Sequence, residues 1–211
     1  MVFFANRQDA GKKLAVKLEG LNNDDVVVVA IPRGGVVVAE PVAEKLKAPL
    51  DVVVPRKIGM PGNPELAVGA LSPDGSIVLN HRLLWWYGLD EEELKPIIEK
   101  ELGEIKRRME LYRQGRKPFD VRGKHAIIID DGIATGYTMY AAVEFLKKQG
   151  AEEITAAVPV APSDTAEELS KRVHRAVILH IPEVFYSVGQ FYGNFDQLTD
   201  EEVVNILEKW K

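Results

Sequence analysis

Residues 126–139 read Ala-Ile-Ile-Ile-Asp-Asp-Gly-Ile-Ala-Thr-Gly-Tyr-Thr-Met. Two adjacent carboxylates, Asp130 and Asp131, close an apolar run, and small residues and two hydroxyls follow them. In a chain of net charge -5, paired acids at a strand end need compensation, and a pair of ligand hydroxyls or a metal ion would supply it. Gly132, Ala134 and Gly136 leave the backbone open to an anion, while Thr135 and Thr138 add hydroxyl donors. Main-chain amides at such a loop, just ahead of a helix, make a phosphate cradle. Acids for one end of a ligand and amides for the other suit a sugar phosphate. On an extended segment the two acids point to opposite sides, so only one faces a hydroxyl pair directly. The other acts through water or Mg²⁺, or orients the loop. Taken alone, the stretch also fits a strand end at which Asp131 merely starts a turn.

Two further loops carry donors. Residues 32–35 are Pro-Arg-Gly-Gly, in which glycines let amides converge on an anion and Arg33 offers a two-pronged phosphate donor. Residues 56–65, Arg-Lys-Ile-Gly-Met-Pro-Gly-Asn-Pro-Glu, read as a mobile loop because they hold two prolines and two glycines. Arg56 and Lys57 at its entrance read either as a solvated basic turn or as cations facing an anionic group, where one well-placed donor is worth on the order of 2.7–4 kcal/mol. A lid there would also keep water out.

The elements that must position these loops alternate between strand and helix. Asn6 or Asp9 caps a first helix with Ala10, Leu14, Ala15 and Leu18 at helical spacing. Residues 26–31 are continuously apolar and β-branched, which suits a strand buried on both faces. A helix then runs to about Lys47, followed by a strand over 51–54 and a hairpin of 66–71 with 76–79 around Pro73-Asp74-Gly75. Residues 81–88 are helical, and Asp90 opens a long charged helix to about Gln114. Strand 125–130, helix 137–149, strand 153–159, helix 163–172 and strand 175–181 come next. After an irregular aromatic segment, Thr199 caps a last helix with Glu202 at the capping-box position. The order implies an α/β fold with a mainly parallel central sheet flanked by helices. All three donor loops leave C-terminal strand ends, where such sheets bind ligands.

Composition narrows the options. The 211 residues, 46% hydrophobic and 28% charged, suffice for one substantial core, taken here as a single domain over 1–211. The absence of cysteine excludes disulfides and thiolate metal sites and fits a reducing cytoplasm. The first residues lack the basic start and apolar run of a secretion signal, and no stretch is long enough to span a bilayer. Mild acidity argues against nucleic acid as a partner. His81, His125, His174 and His180 are scattered, against a zinc site, and no GxxxxGK[ST] stretch accompanies the acidic strand, against a P-loop ATPase. The pair Trp85–Trp86 reads as a buried anchor.

Residues 126–139 resemble the phosphoribosyl-pyrophosphate (PRPP) signature of type I phosphoribosyltransferases: a hydrophobic strand, two acids, and a small-residue loop ending in Thr-Gly-x-Thr. Nearly the whole chain is similar to the "predicted phosphoribosyltransferase" family of bacteria and archaea. The shared segments are residues 32–35, 55–66, 130–136 and the Phe-Tyr-x-Val-Gly-Gln stretch at 185–190. The resemblance implies a type I phosphoribosyltransferase-like fold and a Mg²⁺-dependent transfer of phosphoribosyl from PRPP to a nitrogenous acceptor, with pyrophosphate released. It places Asp130 and Asp131 at the ribose hydroxyls, directly or through Mg²⁺, with Asp131 also in a catalytic role. Gly132, Ala134, Thr135, Gly136, Tyr137 and Thr138 would surround the 5′-phosphate, although Tyr137 stands where small residues are frequent. Arg33, Gly34 and Gly35 would hold pyrophosphate, with a cis peptide near Arg33–Gly34. Arg56 and Lys57 match the Arg-Lys pair entering the flexible loop of adenine phosphoribosyltransferases, and so take a catalytic role. A hood from about 80–118 and 182–197, including Phe185, Tyr186 and Gln190, would cover the acceptor. A cytoplasmic homodimer in nucleotide salvage is implied as well. The competing reading is a non-catalytic PRPP or nucleotide sensor of the same fold; a hydrolase or lyase acting on nucleotides is a third.

Overall fold

A computed structural model describes residues 3–21 and 25–210. Five strands form a parallel sheet in the order β2-β1-β6-β7-β8: β1 (Val26–Ala30), β2 (Leu50–Val52), β6 (His125–Ile129), β7 (Glu153–Val160) and β8 (Arg175–His180). Every residue of β1 is buried, as a strand covered on both faces requires. The side chains alternate with period two. Val26, Val28, Ala30, Ile127 and Ile129 pack under α1 (Arg7–Leu18), α2 (Gly34–Leu46) and α7 (Asp200–Glu208). Val27, Val29, Ala126 and Ile128 pack under α5 (Tyr137–Lys148) and α6 (Ser163–Ser170) on the other face.

The chain leaves β1 towards β2 on one side and later returns to β6 on the other. Strand order reverses there, and the crevice between the C-terminal ends of β1 and β6 is where sheets of this kind take ligands.

A second sheet is antiparallel, in the order β3-β4-β5: β3 (Arg56–Met60), β4 (Asn63–Leu71) and β5 (Ile77–Leu79). Residues 56–65 are therefore a hairpin, not the loop that their composition suggests. Met60 pairs with Asn63 around Pro61 and Gly62, and the glycine takes φ +77° at the turn. The register shifts on either side of Gly59, which pairs with Ala67 and packs close against Pro64, and a bulge is where a strand tolerates proline. Ile58, Val68 and Leu71 join Leu84 of α3 (His81–Tyr87) and Leu94 and Ile105 of α4 (Glu91–Arg113) in a core of their own. Ser72 Oγ donates to the Ala141 carbonyl at 2.7 Å, a buried bond that ties this layer to α5.

The tryptophans are not an anchor. Leu84 takes the inward position of the seven-residue α3, and Trp85 and Trp86, one and two steps of 100° further round, are 79% and 73% exposed. Asn6, Asp90 and Thr199 cap α1, α4 and α7 as expected, with capping boxes at the latter two. Phe4, Ala10, Val160, Phe191 and Tyr192 stitch the start of the chain to the segment before α7. Among the described residues no helix is long and apolar enough to cross a membrane.

Candidate active site

The loops after β1 and β6 meet at the strand-order reversal. The Pro32–Arg33 peptide is cis, one bond before the Arg33–Gly34 position expected from the sequence. Gly34 and Gly35 open α2 directly against the acidic loop. A Cβ on Gly35 would lie 2.7 Å from the Ile129 carbonyl oxygen, and one on Gly34 would overlap the Asp131 carboxylate and lie 2.8 Å from Arg7 Nε. Only glycine lets the two loops approach this closely. Gly34→Ala is expected to cost about 1–3 kcal/mol through overpacking. Urea unfolding reads that loss, and calorimetry with PRPP reads the accompanying displacement of Asp131.

Asp130 and Asp131 do not point to opposite sides. β6 ends at Ile129, so the strand alternation no longer governs them, and both line one cavity of about 420 Å³. The Asp131 amide donates to Asp130 Oδ1 at 2.8 Å. Burial and the neighbouring Asp131 push the Asp130 carboxyl well above the ordinary carboxylate range. Burial also raises Asp131, against the pull of Arg7, whose Nε lies 2.7 Å from Asp131 Oδ2. Compensation for the doubled acid thus comes partly from within the chain.

Arg7 is the residue that sequence reasoning missed. Its Nη1 donates to the Asp196 carbonyl at 2.9 Å, and its guanidinium lies over the Phe195 ring, 3.8 Å from the centroid. One side chain therefore joins α1, the acidic loop and the segment before α7. It sits 124 positions from its partner, with no motif of its own to announce it.

Gly132, Ala134, Thr135, Gly136 and Thr138 line the same cavity, as do Arg33 and Gly34. The loop's carbonyls are tied away from it: Tyr192 Oη donates to the Asp131 carbonyl and Thr165 Oγ1 to that of Ala134, each at 2.6 Å. Gly136, at φ +80°, precedes α5 without any side-chain cap, so the first-turn amides of the helix are available to a ligand. Tyr137 turns away from the cavity and meets Tyr140 edge-on at 5.8 Å.

A second cavity, of about 500 Å³, adjoins the first; Pro32, Lys57, Asp130 and Thr138 border both. Arg56 and Lys57 of β3 form one wall, and Lys100, Glu101 and Arg108 of α4 face them. Arg56 Nε is 2.6 Å from Glu101 Oε2. Arg33 reaches towards α7, with Nη1 3.8 Å from Asp200 Oδ1.

The aromatic segment contributes different residues from those expected. Phe185 packs on Phe191 at 5.7 Å, Tyr186 is 86% exposed, and the Gln190 amide accepts the N–H groups of Tyr186 and Ser187. None of the three lines the cavity; Val188, Phe195, Gln197 and Leu198 do. Gln190 is spent on holding its own turn, and the aromatic rings at 185 and 191 satisfy each other.

A parallel sheet thus carries, at its strand-order reversal, a crevice lined by paired acids and loop amides. Residues 5–192 match the family profile described as a phosphoribosyl transferase domain. A Mycobacterium tuberculosis protein named "Putative phosphoribosyl transferase Rv0571c" is 44% identical over 209 residues, 99% of this chain and 47% of that protein. The chain spans about half the length of the curated relatives it matches. Ribose-phosphate pyrophosphokinase of Pyrococcus furiosus is 43% identical over 61 residues, 28% of this chain and 22% of that one. Among solved structures, TT1426 from Thermus thermophilus superposes with a TM-score of 0.83 at 39% identity, covering 99% of each chain. The chain belongs to the phosphoribosyl transferase domain family, and its mostly parallel sheet flanked by helices is the type I phosphoribosyltransferase fold.

Proposed function

We propose that the chain transfers the 5-phosphoribosyl group of PRPP to a nitrogenous acceptor and releases pyrophosphate. The observation that carries this is the continuity of the two cavities through Asp130, Thr138, Pro32 and Lys57. An acid pair for ribose hydroxyls, an amide-rich loop for a terminal phosphate and a cationic groove for a diphosphate lie side by side, one for each group that PRPP carries.

In this reading the amides at 134–138 and the Thr135 and Thr138 hydroxyls hold the 5′-phosphate, and Asp130 and Asp131 hold the ribose. Arg33 and the Gly34 amide take the near end of the pyrophosphate, the Gly35 amide being spent on the Ile31 carbonyl at 3.1 Å, and Lys57 stands where both cavities meet. The C1–O bond breaks with its electron pair leaving on the pyrophosphate oxygen. The lone pair of the acceptor nitrogen forms the new bond to C1, and the displaced N–H proton passes to solvent. The chain's contribution is positioning and charge stabilisation at the leaving oxygen. Val188, Phe195, Gln197 and Leu198 form the wall against which the acceptor would rest.

The residues fit Mg²⁺ when the substrate carries part of its shell. Among the described residues no group of three or more acidic or histidine side chains could hold a metal, and magnesium is commonly bound through one or two carboxylates together with substrate phosphates. Asp130 and Asp131 would be those carboxylates, and the ion would neutralise charge on the pyrophosphate.

The test is a panel of purine, pyrimidine, nicotinate-like and amine acceptors offered with Mg²⁺ and PRPP, scored for pyrophosphate. Release that depends on one acceptor is the expected result. Calorimetric binding of PRPP with no release in any well would establish the sensor reading instead.

A further inference from the structure

The leaving-group side of the site holds more than its β3 wall. Lys100 and Glu101 lie three and four residues after Ile97 on α4, Glu104 four and three after them, and Arg108 four after Glu104, so the five share one stripe of the helix. All but Glu104 line the 500 Å³ cavity. The acids of the stripe are occupied. Glu101 holds Arg56 at 2.6 Å, and Glu104 holds Arg107 at 2.8 Å and Arg108 at 2.6 Å. The two guanidinium groups beside Glu104 drop its carboxyl to about 2. Lys57 and Lys100 differ from these arginines: both line the cavity, and neither makes an ion pair among the described residues. Two ammonium groups without an ion pair among the described residues thus face one groove, with Lys57 close enough to Asp130 for its charge to favour the ionised carboxyl there.

An ammonium on a flexible stem is a mobile point charge that suits phosphate oxygens, whereas Arg56 is held by a carboxylate in a fixed geometry. We infer that Lys100 of α4 is a catalytic residue that, with Lys57, grips the departing pyrophosphate across the groove, while Arg56 and Glu101 are the positioning pair that sets the spacing between hairpin and helix. This rests on the site being a PRPP site. As the C1–O bond breaks, the electron pair stays on pyrophosphate, and both ammonium groups donate hydrogen bonds to it without losing a proton. The long helix is then a working wall of the site, where sequence alone gives it a covering role.

Calorimetry with three probes tests the assignment: PRPP, inorganic pyrophosphate and ribose 5-phosphate, each with Mg²⁺. Lys100→Ala is expected to weaken pyrophosphate and PRPP binding by about tenfold and to leave ribose 5-phosphate unchanged. Lys100→Arg should restore most of the loss. Arg56→Ala should weaken the same two probes and spare ribose 5-phosphate, with rescue by Arg56→Lys, which can still pair with Glu101; a general loss of structure would weaken all three. Unchanged pyrophosphate affinity in Lys100→Ala, with PRPP still bound by the unmodified protein, overturns the role of Lys100 alone. Failure of the unmodified protein to bind either PRPP or ribose 5-phosphate overturns the site reading beneath it.

Discussion

Arg7→Ala is expected to destabilise the protein by about 3–5 kcal/mol, the usual loss when one partner of a buried ion pair is removed. The side chains of Arg7 and Asp131 are 11% and 16% exposed, so little water reaches the pair. Without the guanidinium, Asp131 stays buried next to Asp130 with no cation in contact. The hydrogen bond to the Asp196 carbonyl and the stacking on Phe195 go as well. Urea denaturation of Arg7→Ala, Asp131→Asn and the double variant checks this. Because the two residues share one interaction, the double variant should lose clearly less than the sum of the single losses. A loss below about 1 kcal/mol, the level of a surface pair, would mean that solvent already screens the contact.

That pair also marks what sequence can and cannot show. That the acidic loop would gather at one cavity was legible because its residues are contiguous: Asp130, Asp131, Gly132 and Thr135 lie together in the chain and line the same cavity. The strands of the parallel sheet were legible for a similar reason. Burial on both faces demands an unbroken apolar run such as Val26–Ala30, too short for a buried helix and rich in β-branched side chains. Helix starts were legible because capping is local, and Asn6, Asp90 and Thr199 all accept the first-turn amides expected of them.

What failed was settled by distant partners. Residues 56–65 carry glycine and proline, which read as loop, yet each sits at a turn or a bulge of a hairpin whose Ile58 is claimed by Leu84, Leu94 and Ile105. In the aromatic stretch at 185–195, Phe185, Tyr186 and Gln190 were the residues expected to cover an acceptor. Its rings instead pair with one another and with Phe4, and it is Phe195, under Arg7, that reaches the cavity. No spacing rule links position 7 to position 131, and none shows that Glu101 will hold Arg56 while Lys57 makes no ion pair among the described residues.

The separation of the two acids leads to the second large effect. Arg7 occupies Asp131 Oδ2, whereas Asp130 is met by the Asp131 amide and otherwise faces the two cavities. Asp130 is therefore the acid with more of its hydrogen-bonding capacity left for a ribose hydroxyl. Asp130→Asn keeps the shape and one acceptor oxygen but removes the charge. A charge-assisted hydrogen bond is worth about 1.5–3 kcal/mol, so affinity for Mg²⁺-PRPP should fall about 10- to 100-fold. Stability should change little or rise, since burial and the neighbouring carboxylate already oppose ionisation of Asp130. Asp131→Asn should show the reverse balance, losing stability through Arg7 as well as affinity. Calorimetric titration with PRPP beside urea unfolding of both variants separates the two roles. Equal affinity for PRPP in Asp130→Asn and the unmodified protein would remove the ribose from this crevice, and with it the reason for placing the 5′-phosphate on residues 134–138.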